Sequence, residues 1–154
     1  MAAEIIKNIY LFKECSQQEL SQVQHIVQSE VFNPGDEIFS QNDRAIALYI
    51  VKMGTVKIEQ KSSKGDVINL ATFGSGSHFG EMSFLDHETR SATVSAVEKT
   101  EILKIDYQAL KTVMESHAGL SGKIYKALAC FLCGRLRVTT TDLSFAREKN
   151  LRHF

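Results

Sequence analysis

The spacing of apolar residues changes twice along the chain, and the changes mark its predicted elements. Leu20, Val23 and Val27 recur at three- and four-residue intervals, the stripe of a helix predicted over Ser16 to Gln28. Ser16-Gln-Gln-Glu19 opens it as a capping box, in which serine and glutamate side chains each accept an otherwise unpaired terminal amide. Ile5, Ile6, Ile9, Leu11 and Phe12 predict a shorter helix on the same core, so helices are expected over residues 1–30. From Val31 to Ile105 the period becomes that of strands. Phe32-Asn-Pro34-Gly35-Asp36 and Gln41-Asn-Asp43 are turn chemistry around a short strand at Ile38-Phe39. Ala47 to Val51, Thr55 to Gln60, Val67 to Phe73, Ala92 to Val97 and Glu101 to Ile105 follow as β-branched or alternating runs, separated by Gly-containing or polar turns. Such a series predicts a mainly β fold with flanking helices, an antiparallel sandwich or jelly roll over residues 31–105.

Helical spacing returns over residues 106–154. Asp106 is placed to cap a helix carrying Tyr107, Leu110, Val113 and Met114, and a longer helix is predicted from Leu120 to at least Glu148. Its residues Tyr125, Ala129, Leu132, Leu136, Thr139, Leu143 and Ala146 step alternately by four and three, a heptad seam suited to pairing with another helix. Ile124, Leu128, Phe131 and Arg135 form a second face that packs on the sheet. Two such faces favour a homodimer through this helix over simple packing of one stripe. Thr139 is the polar member of the seam, and a buried polar group needs a partner, either a second chain or a ligand.

Composition narrows the function classes. A chain of 154 residues, 44% hydrophobic and 23% charged, is expected to form a single domain around one core. Its 18 basic and 18 acidic residues cancel, which argues against nucleic acid or an anionic membrane surface as a partner of this chain alone. No apolar run approaches the roughly 20 residues of a membrane span, and no basic-then-apolar leader opens the sequence. Cys15, Cys130 and Cys133 make no disulfide framework, so the cytoplasm is the expected compartment. Cys130 and Cys133 lie inside the long helix without a histidine or second pair to complete a zinc site, and are read as helix packing.

The candidate chemistry lies between Gly76 and Val94. Glycines at 74, 76 and 80 let backbone amides approach a ligand, a short apolar turn runs from Met82 to Leu85, and Arg90 offers a fork of donors that fits a phosphate. Glu81 on the same loop supplies an acceptor for a hydroxyl. The competing reading is an internal Glu81–Arg90 ion pair that merely ties the loop. His78 and His87 flank the stretch, and with no further ligands clustered around them they are read as solvated loop residues rather than a metal site or pH sensor. No nucleophile, general base and orienting group fall together, so no enzyme is expected.

Four ordered signatures carry a resemblance: Gly35-Asp36-x-Ile38-Phe39, Leu48-Tyr-Ile-Val51-x-x-Gly54-x-Val56, Phe79-Gly-Glu81 and Arg90-Ser-Ala-Thr-Val94. From Leu11 to Asp142 the chain resembles the cyclic-nucleotide-binding domains of the catabolite activator and of kinase regulatory subunits. The resemblance implies a double-stranded β-helix whose phosphate-binding cassette spans residues 76–94. It puts Arg90 on the cyclic phosphate and Glu81 on the ribose 2′-hydroxyl. The rest of the cassette's binding set is Phe79, Gly80, Met82, Ser83, Ser91 and Ala92, with Leu70 and Ala71 walling the base. Arg135-Leu-Arg-Val-Thr-Thr140 resembles the activator's helix segment, which implies Thr139 contacting adenine in its own chain and Thr140 reaching the partner's nucleotide. Ser91 stands where a threonine would favour guanine, so cAMP is expected over cGMP as ligand, with no cofactor. Ser77 and His78 replace an acidic and aromatic pair usual in the family, and Asn42 replaces a common glycine.

The implied function is a sensor that converts ligand binding into a shift of the long helix, read by an unknown downstream protein. Residues Leu143 to Phe154 are too few for a helix-turn-helix, so no DNA contact is expected from this chain. The alternatives are an excised regulatory domain of a transcription factor, kinase or channel, and a dimerisation scaffold that binds nothing.

Overall fold

The capping box forms as its residue types require. Glu19 N donates to Ser16 Oγ at 3.2 Å while Ser16 N donates to Glu19 Oε1 at 2.8 Å. The computed structural model describes residues 2–151. Helix α1 (Ala2–Asn8), a 3-10 turn at Tyr10–Phe12 and α2 (Gln17–Gln24) lead into strands β1 (Val27–Phe32), β2 (Glu37–Phe39), β3 (Ala47–Met53), β4 (Val56–Lys61), β5 (Val67–Phe73) and β6 (His78–Phe79). A short helix α3 (Met82–Asp86), strands β7 (Thr93–Ala96) and β8 (Thr100–Asp106), and helices α4 (Tyr107–Ser116) and α5 (Leu120–Leu151) complete the chain. The strands form two four-stranded antiparallel sheets, ordered β1-β8-β3-β6 and β2-β7-β4-β5, which is the expected jelly roll with flanking helices.

Strand β3 shows why the central sequence is apolar throughout. Ala47, Tyr49 and Val51 alternate into the space between the sheets, with Val56, Phe79, Val94 and Ile102. Leu48 and Ile50 point the other way, into a second cluster with Leu103, Ile105 and the helical residues Ile6, Phe12, Leu20, Leu110, Leu120, Ile124 and Leu128. A strand covered on both faces cannot carry a polar alternate. Asp106 caps α4 as expected, accepting from Ala109 N at 2.9 Å, and Asn42 adopts φ 73°, the left-handed conformation that Asn tolerates.

Three expectations are corrected. The helix predicted over Ser16 to Gln28 stops at Gln24, because Val27 pairs with Ile105 to open β1; strand pairing across the chain overrides a local helical stripe. His78 is not solvated: it is buried on β6, 4% exposed, although His87 is exposed as expected. Cys130 and Cys133 are exposed rather than buried in the core, and Cys130 borders the cavity described below. The second face of α5 does pack, with Ile124 and Leu128 fully buried and Phe131 and Arg135 half-buried. On the heptad seam Tyr125, Ala129, Leu136, Thr139, Leu143 and Ala146 are exposed and Leu132 is half-buried. Of the tail from Arg147, residues up to Leu151 continue α5, and residues 152–154 lie outside those described. No helix among the described residues is long and apolar enough to cross a membrane.

Candidate functional site

The stretch from β6 to β7 folds around Arg90, which is 4% exposed. Its main chain is fixed from the Asn42 turn: Arg90 N donates to Asp43 O at 2.9 Å and Asn42 N donates to Arg90 O at 2.8 Å. Nη1 donates to Gly80 O at 3.1 Å and to Tyr107 Oη at 2.9 Å, and Nη2 donates to Ala47 O at 2.5 Å. The guanidinium carbon lies 4.0 Å from the centre of the Phe39 ring, a cation–π contact. Nε has no partner, and no carboxylate pairs with this cation among the described residues. A buried cation held only by neutral acceptors leaves its charge uncompensated, and an anion brought to it recovers what desolvation cost.

Gly80 has to be glycine here. Its φ is +84°, and a Cβ would sit 2.9 Å from Arg90 Nη1 and 3.3 Å from Ala47 O. Tyr107, from the start of α4, donates its hydroxyl to Gly80 O. Burial pushes the Tyr107 phenol above its ordinary value against the opposing pull of Arg90, so it remains a protonated donor.

Glu81, 1% exposed, precedes α3. Its Oε1 accepts from Arg135 Nη1 of α5 at 3.3 Å, while Oε2 lies 3.7 Å from His78 Nδ1, too far for a formed hydrogen bond. Burial alone would push this carboxyl up. The His78 ring, the residue's own amide and the Arg135 guanidinium outweigh burial and hold it below the ordinary carboxylate range. Glu81 and Arg90 therefore do not pair with each other, and the internal ion-pair reading fails.

Both residues line one cavity of about 780 Å³. Phe79, Gly80, Met82, Ser83, Ser91 and Ala92 from the cassette, Leu70 and Ala71 from β5, and Thr139 from α5 line it too. Thr140 does not; its hydroxyl turns back to Leu136 O at 2.8 Å on the exposed side of the helix. The sequence reading missed Phe39 and Tyr107 beside Arg90, and the contact of Arg135 with Glu81. Arg135 was traceable: it stands one helical turn before Thr139 on the face that carries Phe131 and Asp142 into the same cavity. Phe39 reaches the arginine through the pairing of β2 with β7, and Tyr107 through the packing of α4, neither of which local spacing discloses. No group of three or more His, Cys, Asp and Glu residues able to hold a metal occurs among the described residues.

A mostly apolar cavity with one buried cation and one buried carboxylate suits a small ligand with an anionic group, hydroxyls and a flat apolar part. Residues 29–117 match the family described as the cyclic nucleotide-binding domain. The cyclic AMP receptor protein of Thermus thermophilus is 34% identical over 153 residues, covering 94% of this chain and 67% of that protein. The cyclic GMP-binding protein C of Dictyostelium discoideum is 31% identical over 119 residues, which are 77% of this chain but only 4% of that protein. The crystal structure of the Thermus thermophilus catabolite activator protein superposes with a TM-score of 0.78 at 32% identity, over 88% of this chain and 62% of that one. The chain belongs to the cyclic nucleotide-binding domain family.

Proposed function

We propose that this chain is a regulatory sensor that binds a cyclic nucleotide, cAMP in preference to cGMP, and has no catalytic role. One observation carries the reading: Arg90 and Glu81 are buried in a single cavity without pairing to each other. Arg90 takes the cyclic phosphate and Glu81 accepts the ribose 2′-hydroxyl, each exchanging protein contacts for ligand contacts. Leu70, Ala71 and Val138 face the base, and Thr139 meets its polar edge. Ser91 after the arginine, in place of a guanine-favouring threonine, supports adenine.

Thr140 serves the nucleotide of a second chain, with the exposed Leu136 and Leu143 covered in a homodimer. Binding exchanges the Arg135–Glu81 contact for the ribose hydroxyl and so shifts α5 between two positions, which a partner protein reads. Calorimetry of the full chain with cAMP and then cGMP tests this. The expected result is heat with both and tighter binding of cAMP; no heat with either defeats the sensor, and equal affinities defeat the base assignment.

A further inference from the structure

His78 is buried beside the pocket but does not line it. Neither ring nitrogen has a hydrogen-bond partner, and the same is true of Glu81 Oε2, which faces Nδ1 at 3.7 Å. Buried polar atoms are nearly always partnered, and two orphans facing each other answer one another with a small closing movement. The ring is also packed: its centre lies 4.3 Å from that of Phe131 on α5. Across the ladder, β3 offers it only the apolar Ile50. The charged groups on this side are thus Glu81 itself and, from α5, Arg135, which lies over the same Phe131 ring and contacts the other carboxylate oxygen.

We propose that His78 is the positioning residue for Glu81. Its Nδ1–H is the donor for Oε2, which fixes the carboxylate rotamer and leaves Oε1 facing the cavity as the acceptor for a ligand hydroxyl. Nε2 is the unprotonated nitrogen in that tautomer. The assignment rests on the reading that Glu81 takes the ribose hydroxyl. A phenyl ring at this place would give Phe131 the same plate but would offer Glu81 no donor. Arg135 and the ligand then exchange at Oε1 while Oε2 stays held, so that ribose contact is coupled to the position of α5 without disturbing the carboxylate.

The test compares cAMP with 2′-deoxy-cAMP on wild type, His78→Phe and His78→Asn. His78→Phe keeps the ring packing and removes only the donor, so cAMP binding is expected to weaken about three- to tenfold, the scale of one lost hydrogen bond. Binding of the deoxy ligand should not change. His78→Asn, which restores an N–H near the position of Nδ1, is expected to recover part of the loss despite poorer packing. Equal weakening for both ligands, or none for cAMP, overturns the assignment. Imidazole nitrogen NMR of the ligand-free protein is a second arm that needs no nucleotide, with His78→Phe identifying the signals. An Nδ1–H tautomer whose shifts move in Glu81→Gln supports the proposal, and signals indifferent to Glu81→Gln overturn it. A wild type that binds neither nucleotide defeats the cyclic-nucleotide reading instead, and the NMR arm still decides the role of His78.

Discussion

Arg90, on the β-roll side of the pocket, is held by Gly80, Tyr107 and Ala47 and lies under Phe39, whereas Arg135, on the α5 side, has a single 3.3 Å hydrogen bond beside looser contacts with the Phe73 and Phe131 rings and stays 38% exposed. The first side chain has lost its freedom before any ligand arrives; the second has not. A phosphate arriving at Arg90 meets donors already ordered, which is where affinity is gained at least entropic cost. A contact at Arg135 has to be ordered on binding, which makes α5 the element able to respond. The sharpest test of this division is Arg90→Leu. Losing a buried, charge-assisted phosphate partner is expected to weaken cAMP binding by about 3–5 kcal/mol, more than a hundredfold by calorimetry. An unchanged affinity would place the phosphate elsewhere and erase the distinction between the two sides.

The same contrast runs along α5 itself. Ile124 and Leu128 are fully buried against the core formed by the 3-10 turn residues Leu11 and Phe12 and by α4, while Leu136, Val138 and Leu143 are exposed. Leu128→Ala is expected to cost about 2–5 kcal/mol in denaturant unfolding, since it removes transfer energy and leaves a cavity. Leu136→Asp should leave that stability within about 0.5 kcal/mol, as for most surface changes, if unfolding is measured on the monomer, but should abolish the dimer in sedimentation. A Leu136→Asp variant that still sediments as a dimer would refute the seam, and the exposed half of α5 would need another explanation.

What the sequence disclosed follows the same line between local and distant causes. The Ser16–Glu19 capping box, the Asp106 cap and the Asn42 turn are decided by neighbours within a few residues, and all formed as read. Glu81 and Arg90 were found because both lie on one short loop with a glycine at its start. The end of α2 was misplaced because Val27 answers to Ile105, a strand partner far along the chain. His78 was misjudged for a related reason: in sequence it borders a glycine-rich loop, but β6 pairs it with β3 and Phe131 of α5 covers its ring. Helical spacing from Thr139 could have brought Arg135 to the cavity, but no spacing rule names Glu81, on a distant cassette, as its partner.

Glu81 joins the two sides, and its ionisation is expected to have a modest effect, because burial opposes the groups that favour the carboxylate. Burial raises its carboxyl pKa, and the His78 ring, its own amide and Arg135 together lower it further than burial raises it. A carboxyl with a folded-state pKa below its unfolded value binds its proton more readily in the unfolded chain. Its contribution to stability is therefore fully present above the unfolded value, about 4.3 for glutamate, and is lost as pH falls below that through the folded value. Glu81→Gln, which cannot ionise, should be modestly less stable than wild type at pH 7, and the gap should close as the pH is lowered into the acid limb. Glu19 and Glu101 also titrate low through their lysine partners, so wild type and variant share a falling limb, and only the difference between the two curves reports on Glu81. Urea unfolding of both proteins from pH 7 down to the edge of acid denaturation measures that difference. Parallel curves would mean that the carboxylate gains nothing from His78 and Arg135, and that the α5 side of the pocket is not electrostatically tied to the cassette at all.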